Sequence, residues 1–281
     1  MKRQLSILIM LLVVAMSAQA QKNKQLVIIH SNDTHSCIFP LNPNLADTLL
    51  AGRGGYLRRV AMLEQERRQN PGLLYIDSGD FSQGSPYYTL FKGDVEIEMM
   101  NLMRCDASTI GNHEFDFGLE NMARIFRKAK FPILCSNYDF TGTPVEGTVK
   151  KWTIVKRNGI RIGLFALCPE MIGLVDTAKC QGVKYLDPVT VADHTATFLK
   201  RAKKCDVVIC VSHLGWDNRG MNDQIMLAGT HDVDLVLGGH SHTYMKELYY
   251  SKNAEGKLIP VDQNGKHGIY IGRLVLDCAK Q

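Results

Sequence analysis

Ala107-Ser108-Thr109-Ile110-Gly111-Asn112-His113-Glu114-Phe115-Asp116 joins a short strand-like run to a glycine and then, without a gap, to an amide, an imidazole and two carboxyl groups. Small and β-branched residues suit a pleated surface, and Gly111 falls where the backbone has to turn. The same punctuation recurs four more times. Leu26 to Ser31 leads into Asn32-Asp33-Thr34-His35, and Leu73 to Asp77 into Ser78-Gly79-Asp80. Val207 to Ser212 leads into His213-Leu214-Gly215, and Leu235 to Gly238 into Gly239-His240-Ser241-His242. In open α/β sheets ligands bind outside the carboxyl ends of the strands, so five such ends, far apart in sequence, can converge on one site.

Working outward, further apolar runs at Ile133 to Ser136, Ile160 to Leu167 and Ile269 to Leu276 read as strands. Amphipathic stretches at Tyr56 to Gln69, Val95 to Met103, Leu119 to Ala129, Val189 to Lys203 and Asn222 to Ala228 read as helices between them. Short apolar runs alternating with longer amphipathic ones define an α/β sandwich rather than an all-β fold or a helix bundle. Asn158-Gly159, between Trp152 to Lys156 and Ile160 to Leu167, is a two-residue hairpin signal, so the sheets are expected to be mixed. No repeat of the solenoid kind is visible.

The chemistry follows from the donor types. Asp33 and His35, or His240 and His242, would point the same way on extended backbone and could chelate as pairs. Carboxylate, imidazole and one amide oxygen, with no thiolate, suit Zn, Mn, Fe or Co. Asp33, His35, Asp80, Asn112, His213, His240 and His242 are more donors than one tetrahedral ion needs. Two ions about 3.5 to 4 Å apart, bridged by one carboxylate, accommodate them and leave positions for water and substrate. Each cluster alone is weak evidence, because Asp-x-His is more often a turn and Gly-Asp after a strand is a common loop. Finding all five in this order is what points to a metal centre. His30, His194, His231 and His267 lack that context and read as structural or surface residues.

On these motifs the chain resembles the calcineurin-like metallophosphoesterases, and within them the catalytic domain of the 5′-nucleotidase group. The resemblance runs from Gln25 to Asp277, with Gly111-Asn112-His113-Glu114-Phe115-Asp116 close to a signature of that group. It implies a metallophosphoesterase sandwich of mixed sheets flanked by helices. It also implies one ion on Asp33, His35, Asp80 and His242, and a second on Asp80, Asn112, His213 and His240, with Asp80 as the bridge. A catalytic His oriented by an Asp three residues on falls on His113 and Asp116. The expected activity is hydrolysis of phosphate esters, of 5′-nucleotidase type on nucleotides, by a hydroxide ionised between the two ions. Cyclic-nucleotide phosphodiesters, nucleotide sugars and sulfur esters are alternatives within the same motifs, and a metal-dependent binding protein is the non-enzymatic one. Exported members of the group usually carry a second, nucleotide-clamping domain, so a separate nucleotide-binding subunit is a candidate partner.

Two segments close to the motifs stay open. Gln83 to Tyr88 falls where a loop could line the site mouth, with Tyr87 and Tyr88 either touching substrate or packing. Glu114 is given no catalytic part.

The remaining features set the setting. Met1-Lys2-Arg3, the apolar run Leu5 to Met16 and Ala18-Gln19-Ala20 have the layout of a signal peptide, giving residues 1–20 as a leader and 21–281 as one catalytic domain, exported and expected in a periplasm. The apolar run is shorter than the ~20 residues a spanning helix needs, so no stable membrane anchor is expected. Net charge is +5, falling to +3 without Lys2 and Arg3, and the basic residues are scattered, which does not indicate a nucleic-acid partner. Cys37, Cys105, Cys135, Cys168, Cys180, Cys205, Cys210 and Cys278 lack the paired spacing of a zinc motif. Cys135, Cys168 and Cys210, inside apolar runs, read as small buried hydrophobes, and no disulfide is assigned.

Overall fold

The computed structural model describes residues 24–278. The expected leader, residues 1–20, lies outside the described residues. No helix among the described residues is long and apolar enough to cross a membrane.

Four strands run parallel in the first sheet: β1 (Lys24–Ser31), β2 (Leu74–Asp77), β3 (Ala107–Thr109) and β4 (Ile133–Leu134). β13 (Gly272–Cys278) closes its edge antiparallel to β1, pairing Lys24 with Cys278 through to His30 with Gly272. In the second sheet β7 (Ile160–Leu167), β9 (Val207–Ser212), β10 (Leu235–Leu237) and β12 (Leu258–Asp262) are parallel. β6 (Trp152–Arg157) and β11 (Tyr249–Lys252) lie antiparallel at its two edges. A small pair, β5 (Tyr138–Asp139) with β8 (Lys184–Tyr185), lies apart.

Residue alternation explains the layering. Leu26, Ile28, Leu74 and Ile76 from the first sheet meet Ile162, Leu164, Ile209 and Val211 from the second in one dry interior. The intervening residues Val27, Ile29 and Tyr75 face the other way, against α1 (Tyr56–Gln69), α3 (Asp94–Leu102) and α4 (Gly118–Phe126). Phe165, Leu167, Val208 and Cys210 likewise face α5 (Pro188–Thr197) and α6 (Asp223–Ala228). Both faces of these strands are buried, which is why they read as near-continuous apolar runs. The result is the expected mixed α/β sandwich, and the Asn158-Gly159 hairpin is present, with φ of 51° and 73° at its two residues.

Several boundaries differ from expectation. The Val189-to-Lys203 helix is α-helical to Thr197 and then loosens into a π-turn over Phe198–Ala202. The strand expected from Ile269 begins at Gly272. Part of the expected loop at Gln83 to Tyr88 is helix: α2 (Pro86–Phe91) starts with Ser85, whose hydroxyl accepts from the N–H of Tyr87 and Tyr88, and with Pro86 in its first turn.

Candidate metal centre

The parallel strands of the two sheets end on the same side, and their last residues hand the chain to the donor clusters. The backbone there is not extended. Asp33, His35, Asp80, His240 and His242 all have φ between 42° and 72°. Non-glycine residues rarely hold this left-handed region, and it costs of order 1–3 kcal/mol each unless the surroundings over-determine it. Pairing by simple alternation therefore holds only for Asp33 with His35, which share a donor group, and fails for His240 with His242. His240 and His242 turn to different partners, and two donor groups form: Asp33, His35 and His242, and Asp80, His213 and His240. A third grouping, His35, Asp80 and His113, overlaps both.

Charge and geometry fix the donors. Asp33 is fully buried, and its carboxylate accepts from the N–H of His240 at 3.1 and 2.9 Å and from Asn32 at 2.6 Å. Its Oδ1 lies 3.4 Å from His242 Nε2 and 3.8 Å from His213 Nε2. His35 Nε2 and His242 Nε2 are 2.9 Å apart. Asp80 Oδ1 accepts from the His113 N–H at 3.0 Å, and its Oδ2 lies 3.1 Å from His213 Nε2. The Ser78 carbonyl, 2.6 Å from His213 Nδ1, takes that nitrogen's proton in a hydrogen bond and leaves Nε2 as the free donor. Asn112 Oδ1 is buried with no hydrogen-bond partner among the described residues, as expected of an atom whose partner is a cation.

The titration directions divide the imidazoles. Burial, with His213 beside it, lowers His240 to about 4, and burial lowers His35, so both imidazoles are neutral and ready to ligate. Burial works against a charged His213, but the Asp80 and Asp33 carboxylates overcome it and hold its pKa well above the ordinary value. Burial likewise opposes ionisation of Asp80, and His213 reverses it, lowering the pKa.

His113 is one-third exposed, with Nδ1 3.3 Å from both carboxylate oxygens of Asp116. Burial pulls its pKa down, but Asp116 and Asp80 raise it overall. Glu114 does not reach the opening. It is buried and accepts three backbone N–H groups, from Asp80 and Ser82 at 3.1 Å each and from Gly111 at 2.6 Å, clamping the Asp80 and Gly111 turns together. Tyr88 is packing: its buried side chain donates to the His113 carbonyl at 3.0 Å.

Two residues that read as structural or surface in the sequence lie close to the donors. His267 donates its N–H to the Asp33 carbonyl at 2.8 Å, and its ring centroid is 6.0 Å from that of His35. No strand precedes it, so the strand-end pattern could not flag it. His30 braces the site from below, between Asp262 at 2.9 Å and Ser78 at 3.0 Å. His231 is remote from the donors, paired with Asp193 at 2.8 Å.

An α/β sandwich with buried carboxylates and imidazoles gathered beyond its strand ends defines a metal-dependent enzyme architecture. The chain belongs to the calcineurin-like phosphoesterase family, which it matches over residues 26–244. It is 30% identical over 262 residues to Protein 5NUC of Lutzomyia longipalpis, covering 89% of this chain and 44% of that one. It is 28% identical to the 5′-nucleotidase of Homo sapiens, covering 90% of this chain and 46% of that protein. The 5′-nucleotidase precursor of Thermus thermophilus superposes with a TM-score of 0.80 at 28% identity, covering 90% of this chain and 51% of that one. The chain thus spans about half the length of the relatives it matches.

Proposed function

We propose that this chain is a phosphate-ester hydrolase of 5′-nucleotidase type, acting on nucleotides through two divalent cations. Asp33, His35, Asp80 and His242 hold one ion; Asp80, Asn112, His213 and His240 hold the other. The observation that carries this reading is the pair of adjacent donor groups, with Asp33 Oδ1 3.4 Å from His242 Nε2 in one group and 3.8 Å from His213 Nε2 in the other. Bound there, the ions, Zn, Mn, Fe or Co, would supply Lewis-acid activation of water and would neutralise phosphoryl charge. His113, oriented by Asp116 and kept protonated by the carboxylates around it, gives its proton to the departing ester oxygen. Glu114 positions rather than reacts.

We also propose that residues 1–20 are a cleaved leader, that 21–281 form the catalytic domain, and that the mature protein is periplasmic. A second reading keeps the same metal chemistry and has a separate polypeptide supply nucleotide binding.

The test is phosphate release from AMP, other nucleotides and an aryl phosphate, with Mn, Zn or Co restored after chelation. Metal-restored release that prefers nucleotides is expected. Release from the aryl phosphate alone supports the second reading, and release from no ester refutes both.

A further inference from the structure

Beside the donors a cleft of about 340 Å³ runs between the loop after His35 and the start of α2. His35 and His267 belong to its wall and also stand at the metal centre, so the two spaces are continuous. Among the described residues, no Lys, Arg, Asp or Glu lines it. Its far wall is aromatic: the Phe39 ring, 62% exposed, lies 5.7 Å from Tyr87 at 52°, and Tyr87 stacks on Phe91 at 6.4 Å and 23°.

The walls are held apart in place. Ser36 and Ser85 hydroxyls pair at 2.6 Å across the base of the cleft, Ser36 also donates to the buried Glu96, and Ser85 caps the turn that carries Tyr87. Gly84, at φ 110°, lies so close to the His35 carbonyl that a Cβ would meet it at 2.7 Å. The cleft is therefore preformed, and binding there costs little ordering. An uncharged, aromatic-walled space opening onto cationic chemistry suits the neutral end of a phosphate ester rather than its phosphate.

We propose that Phe39 and Tyr87 form a stacking subsite for the planar leaving group, a nucleobase or an aryl ring, and so set substrate preference. This rests on the phosphate-ester reading of the metal centre. Rings accept every base on their π-faces, so the subsite favours flat leaving groups over aliphatic ones without selecting strongly among bases.

The experiment compares the wild type with Phe39→Ala, Tyr87→Ala and Tyr87→Phe as metal-loaded full chains. KM and kcat are measured for AMP, p-nitrophenyl phosphate and glycerol phosphate. Either alanine variant is expected to raise KM for the two ring-bearing esters about tenfold, the scale of one lost stack. Glycerol phosphate should be unaffected, and Tyr87→Phe should retain the wild-type values. A parallel loss on glycerol phosphate, or an unchanged KM for AMP, overturns the proposal.

Saturation-transfer NMR with adenosine supplies a readout that needs no turnover. Ring-proton contact in the wild type that is lost in both alanine variants supports the subsite, and absence of contact in the wild type overturns it. Failure to hydrolyse any ester would refute the metal-centre reading and leave the adenosine result to decide the subsite. A wild-type dimer that Phe39→Ala dissociates, with adenosine contact unchanged, would assign the rings to a second copy of the chain and overturn the proposal.

Discussion

Gly111 is the position where one added methyl group tells most about the metal centre. A Cβ built there would stand 2.1 Å from Asp80 Oδ1 and 2.7 Å from both Asp80 Cγ and the Asp80 backbone N, where ordinary contact begins at 3.4 Å. The carboxylate would have to retreat by the difference between 2.1 and 3.4 Å, or 1.3 Å. It has little room, because the Asp80 N–H is held by Glu114 and its Oδ1 by the His113 N–H. Gly111→Ala should therefore displace the Asp80 carboxylate, the proposed bridge, by roughly 1 Å, a misplacement that costs on the order of 10²-fold in rate. Overpacking of this kind costs about 1–3 kcal/mol in stability, which leaves a folded protein to assay. Bound metal by elemental analysis, kcat/KM on AMP and near-ultraviolet circular dichroism separate loss of ligand from loss of fold. Gly142→Ala is the control, since its Cβ meets nothing within 4 Å although its φ of 78° carries the same backbone penalty as other left-handed sites. A Gly111→Ala protein with full metal content and activity within a few-fold of wild type would show that Asp80 is not the bridge.

Four further outcomes are expected. His113→Ala keeps its backbone N–H to Asp80, so metal content should be retained while kcat falls by about 10²–10⁴, the usual worth of a general acid; near-normal turnover at full metal content would remove His113 from the reaction. Chelation should lower the melting temperature, since an ion at 100 times its Kd stabilises by about 2.7 kcal/mol per site, and an unchanged melting temperature would refute tight binding. Alkylation of the folded protein followed by mass spectrometry should label the partly exposed Cys37, Cys180 and Cys278 and spare Cys105, Cys135, Cys168 and Cys210, all of them buried, with burial pushing the thiols of Cys105, Cys135 and Cys210 well above their ordinary pKa. The fourth concerns Asp223, which burial raises to about 7 against its hydrogen bond from Ser212. A raised folded-state pKa gives stability that is present below the unfolded value of about 4 and lost as pH rises through about 7. In metal-free protein the stability difference between wild type and Asp223→Asn should thus move by roughly 2–3 kcal/mol between pH 5 and 8, in favour of wild type at the acid end, by denaturant unfolding; a pH-independent difference would contradict it.

The central parallel strands were legible because both their faces are buried, which leaves continuous apolar runs, and because β1, β2, β3 and β10 each end within two residues of a Gly or Asn. The turns that follow were not. Asp33, His35, Asp80, His240 and His242 take left-handed backbone through contacts made across the fold, such as the His35 N–H on the Asp80 carbonyl and the His240 N–H on the Asp33 carboxylate. No local preference announces such a conformation, so spacing alone put His240 with His242, which the fold sends to different groups, while Asp33 and His35 do share one. His267 was invisible for a related reason, since it reaches the site through a backbone bond to Asp33 across 234 positions of chain. The α2 helix was the opposite case: Ser85-Pro86 is a readable start signal, outweighed by the expectation of a loop. Glu114 sat inside the most telling motif, yet its work is to gather three N–H groups, and a carboxylate's partners cannot be read from its neighbours in sequence.

The seam where β13 lies against β1 joins the two ends of the described chain behind the donors. Asp33 follows β1 directly, and its surroundings are completed by Asn264, whose N–H reaches Asn32, and by His267, just ahead of β13. Contacts of this sequence separation close late and slowly during folding, because the loop entropy falls due before the contact forms. The backbone around Asp33 should therefore settle into its final arrangement only after the distal strand has docked. Metal uptake by a refolding chain would then report completion of the whole sandwich, and intermediates lacking β13 would be hydrolytically silent.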